Sequence, residues 1–340
     1  MTVYGFHASH EQISPRQLLA DVQLAEQAGF QAAMCSDHLE PWSARQGHSG
    51  LAWSWLGAAL ATTDLTFGTV NAPGQRYHPA IIAQGIATLG QMFPGRFWTA
   101  LGTGQYANEH VTGQGWPRKE VRQQRLEECV EVISRLLHGE TVSHDGLVTV
   151  DQATVWEVPD PKPKLIAPAI SVQTAVRGAR WADGFATVNQ PPEKLREMLS
   201  AWEDAGGAPH RILQVHLSWA PTEGEAQAIA YDQWRSNVFT SPANTDLRVA
   251  DYDAITEQGI PAERVAGAAL ISSDLAKLTE QIQSFADLGF DEVYLHHIGQ
   301  EQRGFIEAFG EKVLPQLRRP PRKPCTSRPR TSRRSKERAC

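Results

Sequence analysis

Strand-like and helix-like stretches alternate eight times along this chain, and no other feature limits its fold as strongly. Short apolar runs at residues 3–7, 31–35, 65–70, 96–101, 164–169, 184–187, 212–219 and 292–296 each read as a buried strand, and most are followed by a helical pattern. Residues 15–28 place Leu18, Leu19, Val22 and Ala25 on one face. Residues 79–92 begin with a proline in the first turn and carry Ile82, Ile86 and Leu89 inward. Residues 117–138 put Leu126, Val130, Ile133 and Leu137 inside and stop at Gly139. Further helices fit 275–288, before Gly289, and 301–313, before Pro315. Repeated β–α alternation on this scale predicts an α/β protein, a (β/α)8 TIM barrel, ahead of a doubly wound sheet. Two rim insertions interrupt it. Residues 141–158 read as a hairpin or loop turning at Asp145-Gly146, and residues 234–268 read as a lid or substrate-recognition segment.

The 340 residues suffice for one large core. The net charge of −6 conceals an uneven distribution. Ten of the 32 Lys and Arg and one of the 38 acids fall from Arg318 onward, leaving the body with 22 bases against 37 acids. An acidic body argues against a nucleic-acid surface. The expected organisation is a barrel domain over 1–317 and a basic, disordered tail over 318–340. Four dispersed cysteines give neither a disulfide framework nor a zinc ribbon. The first residues show no basic or apolar leader pattern, and no apolar run is long enough to span a bilayer, so the expectation is a cytoplasmic protein without membrane contact.

In a barrel the site forms at the carboxyl ends of the strands. Those ends carry His7 with His10 and Glu11, then Ser36, Asp37, His38 and Trp42, then Thr69, Val70 and Asn71. Next come Gly102-Thr103-Gly104-Gln105 with Asn108, Ala169-Ile170-Ser171, Thr187 with Asn189, and His296-His297. Polar residues gather at the ends while the strand bodies stay apolar, which is the pattern of a pocket. His38 is the best acid/base candidate, because an imidazole titrates near neutrality. Asp37 beside it can accept hydrogen bonds or cap the next turn. Glu11 is a second carboxylate or a solvated loop acid. The paired histidines form no closed ligand set, so no metal is expected.

Several segments together resemble one family. They are Gly5-Phe6-His7-Ala8-Ser9-His10-Glu11-Gln12, Ser36-Asp37-His38-Leu39-Glu40-Pro41-Trp42, Ser54-Trp55, Pro73-Gly74-Gln75-Arg76-Tyr77-His78-Pro79-Ala80-Ile81-Ile82-Ala83-Gln84, Phe93-Pro94-Gly95-Arg96-Phe97 and Leu101-Gly102-Thr103-Gly104 with Asn108-Glu109. Over about residues 3–317 the chain resembles the luciferase-like monooxygenase superfamily, in the branch of the deazaflavin-dependent glucose-6-phosphate dehydrogenases. The resemblance implies a flavin-type cofactor, FMN or the deazaflavin F420, across the barrel mouth. It implies that Asp37 contacts the cofactor, that His38 stands by its reactive face, and that Trp42 and Glu11 line the substrate side. It makes Thr69-Val70 a non-proline cis peptide behind the ring. It sets Thr103, Gly104 and Asn108 against the cofactor tail and Ala169-Ile170-Ser171 against its phosphate.

The chain also departs from that branch. Gln105 stands where the dehydrogenases carry a proton-handling Glu, and an amide cannot titrate. Ala72 replaces a Thr of the deazaflavin site, and Ile170-Ser171 replaces a Gly-Gly. Val188, Pro191 and the segment Val265-Ala266-Gly267 lack the sugar-phosphate clamp. These departures imply an FMN-dependent oxidoreductase or monooxygenase on a small organic substrate other than glucose 6-phosphate. Such an enzyme would be a homodimer, fed by a separate flavin reductase. F420-dependent hydride transfer is the alternative, and an idle flavin-binding barrel is a third reading.

Overall fold

The computed structural model describes residues 1–240 and 243–318. Eight parallel strands close a barrel: β1 (Val3–Ala8), β2 (Ala32–Ser36), β3 (Thr66–Asn71), β4 (Phe97–Leu101), β5 (Lys164–Pro168), β6 (Gly184–Val188), β7 (His210–Ser218) and β8 (Glu292–His297). Closure comes from β7, which pairs with both β6 and β8, while β8 pairs with β1. The expected (β/α)8 barrel is the fold.

Helices α1 (Pro15–Gln27), α2 (Ala52–Thr62), α3 (Pro79–Met92), α4 (Lys119–Leu137), α5 (Val172–Gly178), α6 (Pro192–Asp204), α7 (Leu275–Ala286) and α8 (Arg303–Ala308) follow the strands in turn. Their apolar stripes form the layer outside the barrel. Leu18, Val22 and Ala25 of α1 are fully buried with Ile82 and Ile86 of α3. Each such aliphatic side chain contributes roughly 1.5–3 kcal/mol of burial free energy. The lumen has its own apolar floor, built from Met34, Trp98, Ile166, Ile212 and Tyr294. Glycine makes room for the two large rings. A Cβ on Gly68 would collide with the Trp98 indole, and one on Gly5 with the Tyr294 ring.

Where sequence and structure differ, local causes are visible. The 301–313 helix is broken into α8, a π turn at Phe309–Val313 and a last turn at Leu314–Leu317. A Cβ on Gly310 would press on the Ala28 backbone, so the helix lies close against the end of α1. The apolar run at 51–61 is α2, and among the described residues no helix is long and apolar enough to cross a membrane. Residues 141–158 form the expected antiparallel hairpin, Val142–Asp145 with Thr149–Ala153. The 234–268 insertion is mostly helical, with Ala243–Asp246, Val249–Glu257 and Ala262–Ala266. A further helix, Glu223–Trp234, precedes it.

The expected cis bond at Thr69-Val70 is trans, and Asp160-Pro161 is the one cis peptide among the described residues. Thr69 and Val70 both stay in register with Cys35-Ser36 and Thr99-Ala100, which regular trans strand geometry satisfies. Arg318, where the tail was expected to begin, still donates to the Gly29 carbonyl. The rest of that tail lies outside the described residues.

Candidate active site

The buried run Ala32–Cys35 carries β2 to the barrel mouth, where the Asp37 amide adds a last ladder bond to the Val70 carbonyl, 2.9 Å. Beyond that point the chain turns outward and presents His38. Its Nδ1 lies 2.5 Å from Glu11 Oε1. Glu11 is itself held, because Ser9 Oγ donates to its other oxygen at 2.8 Å. Burial alone would push the Glu11 carboxyl up, but the His38 charge and hydrogen bond, with His7 nearby, bring it down to about 2. In an uncharged imidazole, an ionised carboxylate against Nδ1 favours the tautomer with its proton there, which puts the lone pair on Nε2. His38 Nε2 has no protein partner among the described residues, and the side chain keeps 17% of its surface exposed. Trp42 meets the imidazole edge to face at 5.5 Å.

Asp37, expected to contact the cofactor, is held by protein partners. Its side chain is fully buried, and its oxygens accept from Asn71 Nδ2 at 2.6 Å and from Arg76 and Tyr77 at 3.4 Å. Arg76 also donates to the Asp37 carbonyl at 2.7 Å and pairs with buried Glu109 at 3.7 Å. Arg76 therefore ties the strand end before His38 to the loop after β4. Asn108 makes the matching tie on the other side, since its Oδ1 accepts from the Leu39 and Glu40 amides at 2.8 and 3.1 Å. In this position Asn108 orients the His38 segment.

The loop after β4 is Gly102-Thr103-Gly104-Gln105, partly exposed throughout. Gly104 has φ +78, a value that L side chains rarely adopt. Ala72 sits against it. Gln105 accepts from Asn108 at 3.2 Å and donates to the Asn244 carbonyl at 3.5 Å, so it links the β4 loop to the insertion. Thr69 is buried with its hydroxyl 3.6 Å from Cys35 Sγ, while Val70 turns into the lumen. After β5, Ala169 is buried, Ile170 is exposed, and Ser171 caps α5 by accepting from the Thr174 amide at 3.4 Å.

The top layer of the lumen divides into two halves. Val70, Ala100, Pro168 and Val188, from β3 to β6, make an apolar half. His7, Gln214, His216 and His296, from β1, β7 and β8, make a polar half. His7 and His296 lie with ring centroids 4.2 Å apart, and His216 lies 5.2 Å from His296. Burial drives these imidazoles neutral, His7 down to about 4, His216 to about 3 and His296 well below its ordinary value. His216, Gln214 and Arg76 were not singled out from sequence. The alternation Ile212, Gln214, His216 was the available signal, because it puts two polar groups on the lumen face of β7. His10 stands apart, edge-on to Trp55. Among the described residues no three His, Cys, Asp or Glu converge as metal ligands.

The insertion closes over the mouth. Tyr252 packs on Trp42 at 6.1 Å, Asp253 accepts from Ser43 and the Ala44 amide, and Asp246 accepts from Trp116 at 2.9 Å. The barrel mouth thus gathers one Glu–His pair, an apolar wall, a polar wall and an aromatic rim.

The luciferase-like monooxygenase family matches residues 1–293. The F420-dependent glucose-6-phosphate dehydrogenase of Microbacterium testaceum is 34% identical over 334 residues, covering 93% of this chain and 97% of that one. The structure of an F420-dependent secondary alcohol dehydrogenase, in complex with an F420-acetone adduct, is similar at TM-score 0.85 and 27% identity, over 94% and 99% of the two chains. The monooxygenase RslO1 from Streptomyces bottropensis shares the fold at TM-score 0.70 and 19% identity, over 93% and 99%.

Proposed function

The chain belongs to the luciferase-like monooxygenase family, and from that premise we propose that it is an F420-dependent dehydrogenase that oxidises an alcohol to a carbonyl compound. F420 takes the place of FMN, the cofactor expected from the sequence. Relatives named as F420-dependent support this at 34% and 27% identity, whereas RslO1 shares only the fold. The departures at Gln105 and Ala72 that suggested FMN do not remove the cofactor bed. Val70 and Ala100 offer it an apolar surface, Asn71 Oδ1 is a buried acceptor without a partner among the described residues, and the glycine loop at 102–104 allows close backbone approach. The residues present therefore fit a flat heterocycle with polar edges.

The observation that carries the reading is the 2.5 Å pair of His38 Nδ1 with Glu11. F420, held by these residues, would supply the acceptor for a hydride. The alcohol loses that hydride from carbon and a proton from oxygen, and a carbonyl forms. His38 Nε2 takes the proton. Glu11, anionic and fixed by Ser9, stabilises the imidazolium that results. Gln105 takes no proton, so His38 carries this step without a second titrating side chain from the β4 loop. Tyr252 of the insertion, packed on Trp42 of the loop after β2, excludes water from the reacting atoms.

The test is steady-state reduction of F420 by a panel of primary and secondary alcohols. His38→Ala is expected to lower kcat roughly 10²–10⁴-fold, the usual contribution of a general base. Full turnover in His38→Ala, or oxygen-dependent product formation with FMN and none with F420, would refute it.

A further inference from the structure

Trp42 is the aromatic side chain that meets His38, yet residues 37–51 around it form neither strand nor helix. Side-chain bonds must therefore fix the indole. On the barrel side the Trp42 amide donates to Gln46 Oε1 at 2.8 Å. Gln46 is buried and gripped in turn: it donates to the Gln233 carbonyl at 3.2 Å, and its own carbonyl accepts from Gln300 at 2.9 Å. On the outer side one carboxylate of the insertion makes the bonds. Ser43 Oγ donates to Asp253 Oδ1 at 2.5 Å, and the Ala44 amide donates to Asp253 Oδ2 at 2.8 Å. The Arg45 guanidinium lies 3.7 Å from Oδ1 and offsets the charge. Three successive residues after Trp42 thus converge on Asp253. Tyr252, the residue before it, packs on the indole at 6.1 Å and donates its hydroxyl to the Ala243 carbonyl at 2.9 Å.

Apolar packing does not hold this junction. The insertion has a small cluster of its own, with Trp234, Ile260 and Val265 against Ile298, and Trp42 and Tyr252 lie outside it and outside the barrel core. The Asp253 bonds are charge-assisted, and Ser43 is buried, so they are the strong contact between the two segments. We propose that Asp253 is a positioning residue for the reaction: through Ser43 and Ala44 it fixes the Trp42 indole edge to face against His38. The inference rests on the alcohol-oxidising reading above and adds a residue that acts only through others. His38 is tied to Glu11 by one nitrogen, and a ring held at one point can swing about that bond. The indole, 5.5 Å away, limits the swing and keeps Nε2 aligned with the alcohol oxygen.

Two readouts test this: F420 reduction by propan-2-ol, and the emission of Trp42 in the cofactor-free protein, taken as the difference between the parent and Trp42→Phe. Asp253→Ala is expected to lower kcat about tenfold while KM moves less than about threefold, because orientation and not affinity is lost. Asp253→Asn, which can accept from the Ala44 amide and donate to Ser43 Oγ, retains most of the rate. Ser43→Ala removes one of the bonds and falls between. In a Trp42→Ala background Asp253→Ala costs nothing further. The Trp42 emission shifts to the red and opens to iodide quenching in Asp253→Ala. Asp246→Ala, which frees the insertion from Trp116 and Arg122 instead, leaves that emission as in the parent. Unchanged kcat in both Asp253→Ala and Ser43→Ala, a loss undiminished in the Trp42→Ala background, or an equal Trp42 shift in Asp246→Ala overturns the role. If no alcohol reduces F420 yet Asp253→Ala exposes Trp42 to iodide, the oxidation reading fails while the hold on Trp42 stands. If propan-2-ol reduces F420 and Asp253→Ala moves neither kcat nor the Trp42 emission, the positioning role alone fails.

Discussion

Lowering the pH from 7 to 5 should destabilise this protein steeply, through histidines it buries neutral. His7 and His297 are pushed down to about 4 and His216 to about 3, each chiefly by burial. An imidazole in the unfolded chain titrates near 6.5. Below that value the unfolded state binds a proton that the folded state refuses. The stability contributed is fully present above pH 6.5 and is lost as pH falls toward the folded values. Between pH 7 and pH 5 each such group costs about 2 kcal/mol. Three together approach about 6 kcal/mol, comparable with the whole stability of many domains. Glu11 does not contribute in this window, because its folded value of about 2 places its loss below pH 4.5. Glu109 and Asp21, both raised by burial, act in the opposite sense. A variant isolates the histidine part. His297 stacks on Phe305 at 5.0 Å, outside the candidate site. Urea unfolding at pH 7, 6 and 5 should show His297→Gln losing about 2 kcal/mol less than the parent over this range. Equal pH dependence in parent and variant would refute the argument.

Other substitutions probe the scaffold of the site. Arg76→Met leaves Asp37 and Glu109 buried without their cation, so unfolding should be easier by about 3–5 kcal/mol, with Arg76→Lys intermediate in the same urea titration. Asn108→Ala removes the acceptor of the Leu39 and Glu40 amides. It should lower kcat by misplacing His38 and relax protection of those two amides in hydrogen exchange, whereas unchanged protection would contradict the role. Gly68→Ala forces a methyl into the Trp98 indole and should cost about 1–3 kcal/mol, read as a lower urea midpoint.

The barrel was legible because each strand leaves a short apolar run and each helix a 3.6-residue stripe, as in α1 and α3. His38 and Glu11 were legible as strand-end residues, but their 2.5 Å contact joins two loops whose adjacency only the closed barrel sets. Asp37 and Asn108 were placed at the right ends, but the protein partners that hold them were not legible. For Asp37 one reason is Arg76, whose side chain turns inward from a loop to reach the Asp37 carbonyl and carboxylate. A sequence shows the charge of Arg76 but not that turn. The β7 part of the polar half was missed for a related reason, whereas His7 and His296 were already among the strand-end residues. Gln214 and His216 sit in β7 with residues one would expect of a strand, and only the pairing of β7 with β8 sets His216 against His296.

The central claim is that this site is built for F420 and not for FMN. Equilibrium titration of the purified protein with each cofactor, followed by fluorescence, tests it most directly. The account predicts saturable F420 binding at a dissociation constant at least tenfold below that for FMN. Tight FMN binding with no detectable binding of F420 would contradict it.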